Sequence, residues 1–327
     1  MPDLGPRSVP PAHGAATATR ETHWAQGPPT ATVAELLRSL ELTILGRLDG
    51  VLHGNYQGLT PGHGSEPGES RPYQPGDDVR RIDWNVTART NETYVREQIA
   101  DRDLTAWLVV DGSAAMDFGT VSDHKSNVAL AAAACIGFLT ARNQNRLGAV
   151  LVAGPEVHVV PPRSGANQVR AILSTIATAP DTEGRGRSDL AAALDRVGAL
   201  AKRRGFITVV ADFDGDDWSD ALARLALRHD LLAVTVRDPR ESDVPPVGLV
   251  EFVDPASGAT REVNVTKDVQ QRFITAARQR ADTRRAAIGR SGADLIELTT
   301  DGDWLREIVQ HTQRKRAQVV RGGVLRR

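Results

Sequence analysis

Two aspartates in this sequence follow apolar runs of the kind that form buried strands. Asp111 comes directly after the run at 108–110, and Asp212 comes directly after the run at 209–211. In open α/β sheets, ligand sites lie beyond the carboxyl ends of the strands, near the point where the strand order reverses. The two carboxylates are therefore candidates for a single site.

Two hydroxyl groups accompany these carboxylates. Ser113 lies two residues after the first aspartate, and Ser188 precedes a predicted helix. Carboxylate and hydroxyl oxygens suit a hard cation such as Mg²⁺, which keeps several waters and tolerates an incomplete protein shell. The set Asp111, Ser113, Ser188 and Asp212 is the predicted metal site, with Mg²⁺ as the possible cofactor.

The same residues have a purely structural interpretation. An aspartate at a strand end often fixes the following turn, and a serine before a helix is an ordinary N-cap. On spacing alone, both interpretations of Asp111, Asp212 and Ser188 remain open.

Alternating strands and helices would position these residues. From residue 104 onward, apolar runs of strand length alternate with helical periodicity, and the links are short. This pattern predicts an α/β fold with a mainly parallel sheet and helices on both faces. The predicted strands are apolar throughout, as expected for strands covered on both sides. The final helix is predicted from Asp301 to His311.

The N-terminal third differs from the rest of the chain in composition and in its hydrophobic pattern. Residues 1–29 are rich in Pro, Gly, Ala and Thr, which predicts a disordered tail. Within 30–100, a capping box at 32–35 opens a helix that ends near residue 50, and alternation from Thr93 to Ile99 suggests a strand. The apolar stripe of that helix is either a packing face or a docking surface. The α/β domain is expected over 101–313, followed by a basic tail at 314–327.

A long signature lies within this N-terminal part. The stretch 73–84 (YQPGDDVRRIDW), followed by Ala88-Arg89-Thr90, resembles the bacterial "domain of unknown function 58" family, and the resemblance runs from about residue 60 to the end. It includes the segments 228–230, 238–241 and 299–301. Asp111-Gly112-Ser113-Ala114-Ala115 resembles the Asp-x-Ser-x-Ser motif of von Willebrand factor A domains.

The resemblance implies a von Willebrand factor A-like (Rossmann-like) fold preceded by a helix and a small β-rich segment. It also implies a metal-ion-dependent adhesion site, in which an acidic side chain of a partner fills an open metal position. Ala115 replaces the second serine of the motif and removes one ligand. The same surface could instead bind by ordinary complementarity, with the aspartates holding the loops.

Family members occur beside MoxR-type AAA+ ATPases and are thought to act with them as adaptors. The resemblance therefore implies a MoxR-type ATPase and an unknown client as partners. The signature block either forms a structural ion-pair network or provides a docking face with aromatic anchors. Its candidate partner-binding residues are Tyr73, Asp77, Asp78, Arg80, Asp83, Trp84 and Arg89.

Composition excludes several other classes. The net charge of −1 gives no field that would attract nucleic acid, and the apolar runs are too short to cross a bilayer. With no signal peptide and one cysteine, Cys135, we expect a cytoplasmic protein. We expect a non-enzymatic adaptor. The alternative is a Mg²⁺-dependent phosphatase or hydrolase with Asp111 as nucleophile, although Ser113 stands where such enzymes place a second aspartate.

Overall fold

The computed structural model describes most of the chain from residue 33 onward. The described residues are 33–51, 70–73, 82–90, 92–96, 104–121, 123–142, 145–154, 156–178, 188–215, 217–255 and 257–324. The predicted tail at 1–29 and nearly all of the glycine-rich stretch before residue 70 lie outside these ranges.

Strands and helices alternate along the α/β part of the chain. The strands are β1 Ser70–Pro72, β2 Tyr94–Arg96, β3 Thr105–Asp111, β4 Arg146–Ala153, β5 Glu156–Ser164, β6 Phe206–Ala211, β7 Asp230–Arg237, β8 Gly248–Val253, β9 Thr260–Val265 and β10 Asp294–Thr299. The helices are α1 Val33–Val51, α2 Trp84–Thr90, α3 Lys125–Arg142, α4 Ala166–Ala177, α5 Leu190–Leu200, α6 Trp218–Ala226, α7 Lys267–Ser291 and α8 Trp304–Val324.

A six-stranded sheet forms the centre of the described residues. Its order is β10-β7-β6-β3-β4-β5, and every neighbouring pair is parallel except β4 with the edge strand β5. The predicted α/β class with a mainly parallel sheet is confirmed. The antiparallel edge arises because β4 and β5 are joined by a short turn, which cannot carry the crossover that a parallel pair requires.

Both faces of the sheet are covered because its central strands are apolar on both sides. In β3, Leu108 and Val110 pack in a cluster with α1, α3, α4 and α8, whereas Trp107 and Val109 pack with α5, α6 and Ile288 of α7. Alternate residues of a strand point to opposite faces, so one apolar run supplies two cores. This explains why no polar face was visible in the strand sequences.

Helix α1 is part of this core. Leu40 and Ile44 have no exposed surface and pack against the cluster that contains α3 and α4. Glu41 accepts two hydrogen bonds from Arg170 of α4, at 2.8 and 2.9 Å. The apolar stripe is therefore a packing face, as the first of the two interpretations had it.

Two small elements flank the sheet. Strands β1 and β2 pair antiparallel beside α2, which confirms a strand within 93–99. Strands β8 and β9 form a hairpin before α7. Helix α8 continues to Val324, so the end predicted at His311 was wrong. One contact that anchors the extension joins Lys315 Nζ to Asp294 Oδ2 at 2.6 Å.

Cys135 is fully buried in α3, and burial raises the pKa of its thiol to about 12. A thiol that stays protonated is a poor nucleophile, so Cys135 serves as a small side chain of the core. Among the described helices, none is long and apolar enough to cross a membrane.

Shortening a buried side chain of α1 tests whether this helix is integral to the domain. We expect Leu40→Ala to lower the free energy of unfolding by about 2–5 kcal/mol, because it leaves a cavity between α1 and the helices α3 and α4. Leu42, on the same helix, is 65% exposed. The matched control Leu42→Ala should therefore change stability by less than about 0.5 kcal/mol in urea denaturation. Equal effects of the two substitutions would contradict the packing of α1.

Candidate functional site

The candidate site lies where the chain reverses its direction across the sheet. After β3 the chain adds β4 and β5 on one side, and then returns to add β6 on the other side of β3. Asp111 ends β3 and Asp212 follows β6, so both carboxylates stand at the carboxyl ends of neighbouring parallel strands. The structure therefore brings together the two residues that the sequence selected.

The loop after β3 is held close to the neighbouring strand. Gly112 N donates to Val152 O at 2.7 Å, and a Cβ at Gly112 would lie 3.3 Å from the Leu151 side chain. Asp111 Oδ1 accepts a hydrogen bond from Ser113 N at 2.9 Å. Ser113 is buried, and its hydroxyl also hydrogen-bonds to Asp111. The small residue at 112 allows this tight turn.

Ser188 joins the same group of side chains. It is not the N-cap of α5, because Asp189 takes that position and accepts from Ala192 N at 2.7 Å. The structural interpretation of Ser188 as an ordinary cap was therefore wrong. Its Oγ instead accepts from Gly154 N at 3.2 Å and hydrogen-bonds to Asp111. With the cap supplied by its neighbour, the hydroxyl faces the strand ends.

The loop after β6 contains a strained residue. Phe213 has a φ of 53°, which is unfavourable for a bulky side chain. Its ring packs edge-on against Trp218, with centroids 5.0 Å apart, and Trp218 Nε1 donates to Gly215 O at 2.7 Å. Asp212 Oδ1 accepts from Asp214 N at 3.0 Å. Aromatic packing thus offsets the backbone strain and fixes the carboxylate that precedes it.

Burial controls the electrostatics of the two carboxylates. Burial and the negative charge of Asp212 raise the pKa of Asp111 from 3.8 to about 6, although hydrogen bonds from Ser113 and Ser188 oppose the shift. Two carboxylates this close disfavour each other's ionised form. A nearby cation would relieve that repulsion.

Such a cation is present in the protein itself. Lys125, the first residue of α3, has a side chain that is only 1% exposed. Its Nζ lies 2.8 Å from Glu241 Oε1 and 3.4 Å from Asp212 Oδ2. The sequence reasoning missed both Lys125 and Glu241. The available signal was that Glu241 belongs to the segment 238–241, which carries part of the family resemblance.

Asp238, in the same segment, joins two further parts of the chain. Its carboxylate accepts hydrogen bonds from Thr120 Oγ1 at 2.6 Å, Thr300 Oγ1 at 2.7 Å and Arg240 N at 2.9 Å. Burial by itself would raise the pKa of Asp238, but these hydrogen bonds hold that pKa below its ordinary value. The segments 238–241 and 299–301 therefore meet beside the candidate site, with Asp238 as their common contact.

The donor set only partly suits a divalent cation. Asp111, Ser113, Ser188 and Asp212 supply the oxygens that Mg²⁺ prefers. Against this, Ala115 contributes a methyl group, and one oxygen of Asp212 faces the Lys125 ammonium. In the described part of the chain, no group of three or more His, Cys, Asp or Glu residues is arranged to hold a metal. The predicted metal site stays a prediction.

The structure describes only part of the predicted partner-binding block. Asp83 is buried, and its Oδ1 accepts from Asn85 N and Val86 N at the start of α2. Trp84 is 70% exposed, as an anchor for a partner would be. Arg89 donates to Asn85 O, and Tyr73 N donates to Thr93 O. Asp77, Asp78 and Arg80 lie outside the described residues.

The sheet order, the helices on both faces and the placement of Asp111 at the switch point define a von Willebrand factor A-like α/β domain. Residues 69–283 match the family described as "Protein of unknown function DUF58". The chain belongs to this family.

Proteins of two mycobacterial species are similar to this chain. "Uncharacterized protein Rv1480" of Mycobacterium tuberculosis is 47% identical over 292 residues, which are 89% of this chain and 92% of that protein. "Uncharacterized protein MAV169" of Mycobacterium avium is 37% identical over 165 residues, or 50% of this chain and 97% of that protein.

Among solved structures, BatB from Bacteroides thetaiotaomicron has a TM-score of 0.41 at 13% identity, covering 66% of this chain and 99% of that one. The SpRpn10 VWA domain has a TM-score of 0.36 at 13% identity, covering 64% and 94%.

The raised pKa of Asp111 predicts a pH-dependent stability. The folded state holds this proton more tightly than the unfolded state, so the carboxyl destabilises the fold as pH rises from about 4, and the penalty is complete above about pH 6. We expect Asp111→Asn to be more stable than the native protein by about 2–3 kcal/mol at pH 7.

Urea denaturation in EDTA at several pH values would measure this difference. Near pH 4, where both side chains are neutral, the two proteins should have nearly equal stability, which serves as the internal control. A constant difference between pH 4 and pH 7 would show that the Asp111 pKa is not raised.

Proposed function

We propose that this protein is a non-enzymatic, protein-binding adaptor or scaffold, and that its contact surface lies at the carboxyl edge of the sheet. The observation that carries the proposal is a groove that begins beside the candidate site. Ala114, next to Ser113, lines this groove. The loop that carries Asp111 and Ser113 therefore continues into one wall of the groove.

The groove has a volume of about 830 Å³. One wall is the turn after β3, with Ala114 and Phe118, and the opposite wall is the hairpin β8–β9, with Val250 and Phe252. Phe118 and Phe252 are 37% and 36% exposed. Apolar walls with partly exposed aromatic rings are typical of the centres of protein interfaces.

The hairpin and the residue just before it expose further apolar side chains. Val247, Leu249 and Val253 are between 60% and 68% exposed. A soluble domain rarely exposes several large apolar side chains together unless they are covered by a partner. The clustering on one hairpin supports a docking surface and distinguishes it from scattered exposed residues.

The charges around the groove indicate what the partner segment carries. Asp117, Glu251 and Asp254 contribute three carboxylates to its lining, and Arg240 contributes one positive charge. Electrostatic complementarity therefore favours a partner segment with apolar side chains and basic neighbours. This contact uses ordinary complementarity, with Asp111 and Asp212 holding the adjacent loops, and requires no bound ion.

The partner class comes from the sequence resemblance. We infer that a MoxR-type AAA+ ATPase is the partner and that the pair assists the assembly or activation of a client protein. The exposed Trp84 supports a second contact area that includes α2. Tyr73, Arg89 and the other signature residues remain candidate contacts. Nothing in the site favours a catalytic role over this one.

A charged substitution in the groove tests the docking surface. We expect Phe252→Asp to weaken binding to a purified MoxR-type ATPase by at least about tenfold, because it places a desolvated carboxylate in an apolar, acidic groove. Binding would be measured by biolayer interferometry with the full chain immobilised.

The matched control is Leu227→Asp. Leu227 is 86% exposed and precedes β7 at the opposite edge of the sheet. This control should leave the affinity unchanged. Equal losses in both variants, or none in either, would place the contact elsewhere, and failure of the native chain to bind at all would refute the ATPase as partner.

A second experiment addresses the enzymatic alternative. We expect no Mg²⁺-dependent hydrolysis of an aryl phosphate above the background of Asp111→Ala, because Ser113 provides no carboxylate for proton transfer. Phosphate release by purified native protein, abolished in Asp111→Ala and retained in Asp189→Ala, would overturn the non-enzymatic proposal.

A further inference from the structure

The buried ammonium of Lys125 lies where the two strand-end loops approach the end of β7. Its side chain is 1% exposed, and its charge is shared between Glu241 and Asp212. A lysine is almost never buried this fully unless carboxylates compensate its charge. The burial of the Lys125 ammonium must therefore be explained by its contacts within the site.

The ammonium is held in place from several directions. Lys125 N donates to Phe118 O at 2.9 Å, which fixes the start of α3. Glu241 presents Oε1 to the lysine, while its Oε2 accepts from Asp238 N at 2.9 Å and lies 3.2 Å from Arg237 Nε. The Glu241 side chain therefore cannot rotate away from the ammonium without breaking its contacts with Asp238 N and Arg237 Nε.

The carboxylates nearest the lysine already have cationic partners. Lys125 contacts Asp212 and Glu241, and Arg237 contacts Glu241. Arg284 of α7 is also buried, and Asp212, Glu241 and Arg237 are among the charges that act on it. A divalent ion would add two positive charges to a neighbourhood that already contains three cationic side chains.

A metal on the carboxylate pair would also compete for a shared ligand. Asp212 Oδ2 lies 3.4 Å from the Lys125 ammonium. An ion bound to Asp111 and Asp212 would use the same carboxylate and repel the ammonium across a poorly solvated space. The hydroxyl missing at Ala115 also weakens metal binding, because it removes one ligand.

We propose that the Lys125 ammonium is the resident cation of this site and excludes a divalent ion from the Asp111–Asp212 pair. The lysine compensates the charges of Asp212 and Glu241 and holds together the loops that carry them. The ion-independent contact in the proposed function agrees with this role, but the inference concerns the isolated protein and stands or falls without the partner.

Removing the ammonium should therefore create a metal site. The probe is Mn²⁺, titrated into the full chain and followed by electron paramagnetic resonance of the free ion. We expect the native protein to bind no stoichiometric Mn²⁺ at submillimolar concentration. Lys125→Met combined with Glu241→Gln removes one charge of each sign and should bind Mn²⁺ at least about tenfold more tightly.

Two further variants test whether the gain in Mn²⁺ affinity depends on the lost positive charge and on the Asp111 carboxylate. Lys125→Arg keeps the positive charge and should bind no more Mn²⁺ than the native protein. Adding Asp111→Asn to the double variant should abolish the gain, since that carboxylate is a proposed ligand. Circular dichroism would establish that each variant is folded before titration.

Either of two results would overturn the inference. One is stoichiometric submillimolar Mn²⁺ binding by the native protein that is lost in Asp111→Asn, a measurement that needs no lysine variant to fold. The other is a folded double variant with no gain in affinity. Both leave the adaptor proposal intact, because binding to the ATPase is measured in a separate experiment.

Discussion

The contact of the Lys125 ammonium with Asp212 and Glu241 is the interaction on which this edge of the protein depends. Burying one charge costs several kcal/mol, and the cost is offset only when partners and hydrogen bonds surround it. The surrounding contacts are supplied by the start of α3, the loop after β6 and the turn after β7. Removing any one charge leaves the others buried and uncompensated, so these segments are coupled.

The loops around this contact are shaped by local packing rather than by secondary structure. Gly112 lets the chain pass close to β4, and the Phe213–Trp218 contact holds a backbone conformation that an isolated loop would avoid. Asp238 connects the loop before α3 with the one before α8. A surface built from such cross-linked loops is preorganised, which lowers the entropy cost of binding a partner.

The groove beside the site is lined in part by one of these preorganised loops. Its walls belong to the turn after β3 and to the hairpin β8–β9, while its end at Ala114 adjoins the buried charges. In this fold, either a bound ion or the ammonium of a lysine side chain can compensate the charge of the carboxylates at the switch point. In this chain the ammonium is already in contact with Asp212, so the recognition that we propose relies on shape, apolar area and peripheral charge.

The sequence alone determined the order and type of the elements and placed Asp111 and Asp212 at one edge. Those conclusions rest on periodicity and on the geometry of parallel strands, which are local or general properties. It placed Ser188 in the candidate site but left open whether this serine instead caps α5, because Ser188 and Asp189 are adjacent and either could serve as the cap.

Only the tertiary structure decided that Lys125 meets Asp212 and Glu241, 87 and 116 residues away, and that Thr120 meets Asp238 across 118 residues. No periodicity encodes such pairs. They arise because strand order brings distant loops together, and because a buried charge must then find a partner among the groups that are already there.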